Sequence, residues 1–420
     1  MITEKLLHYI WQFQYFNNKQ LLSVGGETIQ IIHPGYLNTN QGPDFLDAKI
    51  KINNTLWAGS VELHIKTSDW QAHKHSKDKN YNNVILHVVW QDDMYLNLPF
   101  AVIEIQQNVS KILLSKYEEW MNTACFIPCQ KNINTVQAIT WLAWKERLLV
   151  ERLQQKSGVV LHHIQTNQIH WEETLWWMLA KNFGIKVNSD AFEKMAQSIS
   201  INTLAKHKHQ IHQTEALLFG QAGLLQNNFV DAYPTMLQKE YQFLQKKYQL
   251  SPIIIPIHFL RMRPANFPTI RLAQLAMLIH NCVHLFSKIK AASSLKEIKD
   301  FLDVTANDYW HYHYNFDDES NFKLKKLGGQ MVDNILINTV VPILFGYGIY
   351  YKDDSLKEKA LNWLQQIGAE KNSITNGFMS INIENKSAFD SQALLQLKNN
   401  YCSKKRCLEC AIGNKILKNS

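Results

Sequence analysis

The chain has 420 residues, 46% apolar and 19% charged, with twelve Trp and a net charge of +8. That length exceeds what one core usually serves, so two domains are expected, and the composition excludes a disordered or collagen-like chain. Six Cys are too few for a disulfide scaffold, and the opening residues Met1 to Lys5 carry no export signal, so thiols or metal ligands in a cytoplasmic protein are expected.

The charge is unevenly spread. Residues 1–129 hold ten Lys and no Arg against twelve acids, a net of −2, while the remaining 34 bases and 24 acids give +10. A nucleic-acid partner would therefore be held mainly by the later part of the chain.

The pattern Leu6, Leu7, Ile10, Trp11 predicts a first helix over residues 3–16, capped by Thr3. Gly25-Gly26, Pro34-Gly35 and Gly42-Pro43 mark turns, and Thr28–Ile32 is a β-branched strand. Two alternating runs, Asp47–Ile52 and Leu56–Lys66, flank Asn53-Asn54. Asparagine tolerates positive φ, so a hairpin is expected there, with opposed residues summing to about 107 and Asp44 opposite Leu63. Val84–Trp90 reads as a central strand and Phe100–Ile105 as another.

From about Ser110 helical periodicity takes over, at Trp141–Leu153, Glu173–Phe183, Thr214–Leu225, Tyr241–Leu250, Ile270–Ile289 and Leu356–Ile367. Ile335–Tyr351 is the longest apolar stretch. Asn338, Thr339 and Pro342 interrupt it, which favours a buried helix and turn over a membrane span. Ala216–Gly223 lacks the Lys-Ser/Thr ending of a phosphate loop and reads as close helix packing. The fold class is thus α+β: an N-terminal α/β domain, residues 1–125, then a helical domain, residues 126–420, carrying the terminal cysteines.

The chemistry-bearing residues cluster early. On a strand, Glu62, His64 and Lys66 share one face while Val61, Leu63 and Ile65 share the other. Asp44 is brought near them by the hairpin, and Asp69, Trp70, His73 and His75 follow at once. Asp44 and Glu62 are the expected carboxylates for Mg²⁺ or Mn²⁺, with His64 a third ligand or the base and Lys66 orienting water. A solvated polar sheet face is the alternative. His87, inside an apolar run, reads as a hydrogen-bonded core residue behind the site.

Cys402-x4-Cys407-x2-Cys410 lies in a basic tail, and Cys129 or Cys125 would supply a fourth thiolate for Zn²⁺ or an iron–sulfur cluster. Cys282, on an apolar helix, reads as core. Arg261, Arg263 and Arg271 surround Pro264 and Pro268 at a helix entry, where they either bind phosphate or tie down the turn.

These residues carry three resemblances. Pro43-Asp44 followed by Glu62-Leu63-His64 resembles the PD-(D/E)XK nuclease superfamily, with His where Lys is usual. This implies a restriction-endonuclease-like mixed sheet. Within it, Val61-x-x-His64, Trp70 and His73-x-His75 resemble the mismatch endonuclease of very-short-patch repair, which implies acid–base work for His73 and metal ligation for His75. Over nearly its whole length, through Gly42–Phe45, Val61–His64, Arg261–Pro268 and the terminal cysteines, the chain resembles an uncharacterised bacterial family of unknown function. The expected activity is a metal-dependent nucleic-acid phosphodiesterase. A non-catalytic nucleic-acid-binding protein on a degenerate nuclease fold and a zinc hydrolase of a small substrate are the alternatives.

Overall fold

In the computed structural model, which describes residues 2–282 and 284–418, the chain opens on helix α1, Glu4–Gln12. The Thr3 hydroxyl accepts the Leu6 N–H at 3.3 Å, satisfying one of the amides a helix start leaves unpaired. The helix stops before residue 16 because Gln14 turns the chain at φ 51°. Leu6, Leu7, Ile10 and Trp11 are buried as their spacing predicts, and the Trp11 indole donates to Pro34 O at 3.0 Å.

Seven strands follow: β1 Leu21–Leu22, β2 Thr28–His33, β3 Tyr36–Leu37, β4 Phe45–Ile52, β5 Thr55–Lys66, β6 Val84–Gln91 and β7 Ala101–Glu104. They form one mixed sheet in the order β1-β2-β4-β5-β6-β7, with β3 also paired to β4. Pairing is antiparallel as far as β5 and parallel from β5 through β7. The continuous apolar run of β6 is buried from Val84 to Val89, as a central parallel strand requires.

The β4–β5 hairpin turns at Asn53, φ 52°, and its pairs from Ile52 with Thr55 to Ala48 with Gly59 keep the predicted register. Asp47 then adopts φ 58° in a bulge that absorbs one residue, so Phe45 meets Val61. Asp44 consequently lands beside Glu62 rather than opposite Leu63. The unbulged register was wrong by one position at the point that matters most.

The chain divides into two units, residues 1–145 with 396–420, and residues 146–395. The expectation set a boundary at 125 and kept the cysteine tail with the helices; here the tail, residues 396–420, groups with the first unit. Its last helix, Ala411–Lys418, buries Ile412, Ile416 and Leu417 and packs against helix Lys111–Asn122. Lys398 reinforces the return, its ammonium bonding Phe126 O and lying 4.6 Å from the Phe126 ring centre.

The second unit is helical, including Trp171–Phe183, Ile185–Ser198, Ile211–Gln221, Ala232–Tyr248, Pro268–Asn281 and Asp354–Gln366. The predicted Ile270–Ile289 helix is two, the second running Leu285–Ala291, with His284 at φ 54° before it. Gly329–Tyr350 is long and apolar enough to cross a membrane, but 72% of its apolar 18-residue stretch is buried within the fold, which suits a core helix. The interruption at Asn338 and Thr339 is a π-helical segment, Leu336–Val340, rather than a turn.

Two expected outcomes follow from the packing of this unit. A Cβ on Gly220 would lie 2.1 Å from the Tyr241 ring, so the two helices touch through a missing side chain. Gly220→Ala is expected to lower unfolding free energy by about 1–3 kcal/mol in a urea titration, despite alanine's better helix propensity. Glu193 holds Lys181 at 2.7 Å and His163 at 3.0 Å. Burial raises its carboxyl, but those two partners outweigh burial and bring it down to about 2 from 4.5. The pair's stabilisation is thus full above pH 4.5 and is lost as pH falls toward 2. Glu193→Gln should flatten that acid limb by about 1–2 kcal/mol after solvent screening, readable from thermal midpoints across the range.

Candidate metal centre

Glu62 and His64 sit on the face of β5 where alternation puts them, and both are nearly withdrawn from water, at 4% and 2% exposure. The bulge sets Asp44 against them in a reciprocal clasp. The Asp44 N–H donates to Glu62 Oε2 at 3.0 Å, and the Leu63 N–H donates to Asp44 Oδ2 at 3.0 Å.

The other imidazoles come from the segment after β5. Helix α2, Asp69–Ala72, begins this segment, and Asp69 accepts the Lys66 N–H at 2.9 Å. Lys74 at φ 61° reverses the chain between His73 and His75, and the Trp70 indole pins the turn by donating to Ser76 Oγ at 2.9 Å. The reversal brings both rings to His64, with His73 Nδ1 3.1 Å from His64 Nε2 and the His75 ring stacked 5.2 Å away. Among the described residues, His64, His73 and His75 are the one set of three possible ligands whose donor atoms all lie within 4.8 Å of one another. Glu62 Oε1 is 3.5 Å from His64 Nε2 and 3.4 Å from His75 Nε2. His75 Nε2 is buried and makes no hydrogen bond.

Behind His64, its Nδ1 meets His87 Nε2 at 2.9 Å, the position from which a second imidazole fixes a ligand's ring and tautomer. Trp70, Tyr81 and Phe100 wall the cluster, Tyr81 stacking on His75 at 3.9 Å.

The electrostatics suit neutral nitrogen donors. Burial and the neighbouring histidines hold His64 down to about 2, burial and His75 hold His87 down to about 4, and burial also lowers His75. Burial and the nearby Asp44 charge push Glu62 up to about 8. The nearest side-chain nitrogens to both carboxylates belong to histidines: His64 and His75 for Glu62, and His8 for Asp44. Three imidazoles and a buried carboxylate can surround one divalent ion, which would replace the proton that Glu62 otherwise keeps.

A profile of proteins of unknown function, DUF2851, matches residues 4–373. The chain belongs to the DUF2851 family. No curated protein and no solved structure matches it. The match spans all the residues of the histidine cluster in this DUF2851 protein but stops short of the terminal cysteines.

Of the predicted site residues, Asp44, Glu62, His64, His73 and His75 converge. Lys66 does not join them: it is half exposed and its ammonium lies 4.0 Å from Asp93, at the strand's end. Of the two readings open for Arg271, phosphate binding and tying down the turn, its contacts are those of a tie. It is buried, with one guanidinium nitrogen on Gln274 Oε1 at 2.9 Å and another on Asn266 Oδ1 at 2.5 Å. Arg261 and Arg263 are exposed. Sequence reasoning missed His8, whose Nε2 is 3.2 Å from Asp44 Oδ2, and Tyr81. A lone histidine on an amphipathic helix carries no signal, since only tertiary packing aims it at a carboxylate.

Proposed function

We propose that this DUF2851 protein is a divalent-metal-dependent phosphodiester hydrolase, its ion held by Glu62, His64, His73 and His75. The convergence of the three imidazoles, with Glu62 Oε1 within 3.5 Å of two of them, carries the reading. The mixed sheet, with Asp44 entering β4 and Glu62 on β5, supports the likeness to PD-(D/E)XK nucleases. The surplus of +10 carried beyond residue 129 favours a phosphate-rich substrate such as nucleic acid.

Held by Glu62 and the three histidines, a divalent ion would polarise a phosphoryl oxygen and acidify the attacking water. The chain's own groups do the rest. His87 locks the His64 ring, and the Asp44–Glu62 clasp fixes the carboxylate. With His64 among the ligands and Lys66 turned to Asp93, proton transfer falls to His8, which Asp44 faces as an orienting carboxylate faces its imidazole. Nitrogen-rich donation favours Mn²⁺ or Zn²⁺ over Mg²⁺.

The same donor set supports a second reading, a zinc hydrolase of a small ester or amide, because three imidazoles around one ion are a common hydrolytic zinc arrangement. The purified chain, stripped and reloaded with Mn²⁺, Zn²⁺ or Mg²⁺, should be offered single- and double-stranded DNA and RNA beside small phosphodiesters and carboxylic esters. Cleavage of phosphodiesters with Mn²⁺ or Zn²⁺, abolished by chelator, is expected. Turnover of esters alone favours the second reading, and salt-dependent binding without turnover of anything defeats both in favour of a non-catalytic nucleic-acid-binding protein.

A further inference from the structure

The first unit contains a second set of possible metal ligands, far from the histidine cluster in sequence. Of the six cysteines, all thiols, Cys129, Cys282, Cys407 and Cys410 are buried, Cys402 is half-buried, and Cys125 is exposed. Helix Ala411–Lys418, directly after Cys410, packs against the 3-10 turn Gln130–Thr135, directly after Cys129, and each of the four thiols Cys129, Cys402, Cys407 and Cys410 feels the charge of the other three. Thus four thiols from two remote stretches of chain meet at one place.

The surroundings are built to hold them. Lys398 bonds Phe126 O and Lys405 bonds Met121 O, stapling the tail to the segment that leads to Cys129. Burial pushes the Cys410 thiol up to about 11, and the backbone N–H groups of Ile412 and Gly413 act against that rise. Gly413 has no room for a side chain, since a Cβ there would lie 2.4 Å from Cys407 O. The loop between Cys407 and Cys410 can close only because this position is bare.

We infer that Cys129, Cys402, Cys407 and Cys410 bind an iron–sulfur cluster. The spacing selects a cluster over a single zinc ion, whose thiolates commonly come in Cys-x2–4-Cys pairs. The tail spacing Cys402-x4-Cys407-x2-Cys410 is one by which chains wrap such clusters, with a fourth cysteine from elsewhere. The inference stands independently of the hydrolase reading, because the two donor sets share no residue.

The test uses the full chain purified without oxygen, with iron, zinc and acid-labile sulfide measured on the wild type. Iron and sulfide in equal amounts, with a visible absorption that bleaches on reduction, are expected. Cys407→Ser and Cys410→Ser should lose most of the iron and sulfide, while Cys125→Ser should keep them. Zinc without sulfide overturns the inference. So does a wild-type protein that takes up neither iron nor sulfide on anaerobic reconstitution, and this outcome does not depend on any variant folding.

Discussion

Glu62→Ala should reduce metal-dependent hydrolysis at least about 100-fold, since it removes a ligand, and even residues behind a metal site typically cost 10–100-fold. The same substitution should leave the metal-free protein folded. Burial and Asp44 push the Glu62 carboxyl up to about 8, so its ionised form is disfavoured in the fold. For this group the sign runs opposite to that of a salt-bridged acid. Its contribution is present below its unfolded value of 4.5 and is lost as pH rises toward 8. Replacement therefore takes away an alkaline liability, and the thermal midpoint above neutrality should hold or rise. Activity and metal content measured beside that midpoint separate a site from a structural polar cluster, which would lose stability and no turnover. His87→Ala offers a graded companion, with metal affinity expected to fall about 10–100-fold while the four donors remain.

Trp310→Ala should be the most damaging single truncation in the helical unit, costing about 3–5 kcal/mol in a urea titration. The ring is fully buried, lies 5.1 Å from both Phe219 and Phe316, and stacks on the former. Its indole donates to Glu215 Oε1 at 3.1 Å, and the other oxygen of this wholly buried carboxyl takes the Tyr233 hydroxyl. Truncation opens a cavity and also strands half of a carboxyl that has no water to turn to. Trp310→Phe isolates the second loss, about 1–3 kcal/mol, because most of the ring packing stays. Equal effects of the two substitutions would show that the hydrogen bond, not the ring, governs this core.

The sheet was largely legible because its signals are local. Alternation sets the faces of β5, an asparagine turn sets the hairpin, and an unbroken apolar run marks a strand covered on both sides. The bulge at Asp47 was not legible. An aspartate tolerates a left-handed backbone without announcing one, yet this single residue decides that Asp44 clasps Glu62. His73 and His75 could be read as candidates from their spacing, but their convergence depends on Lys74 reversing the chain, and lysine gives no hint of positive φ. Arg271 left two readings open for a related reason. Its partners Asn266 and Gln274 are near in sequence and could have been noticed, but the burial that commits the side chain to them is tertiary. The join of the two units was hidden because periodicity continues through residue 145 and again through residue 396, where allegiance to a core changes without any change in pattern.

That join bears on how the protein is made. The sheet-bearing unit is assembled from two segments with the 250 residues of the other unit synthesised between them. Until residues 396–420 emerge, the nascent sheet unit lacks the helix that covers Lys111–Asn122, leaving apolar side chains for a chaperone to shield. A lesion within those residues would thus be felt in a fold laid down long before, on the far side of an entire unit.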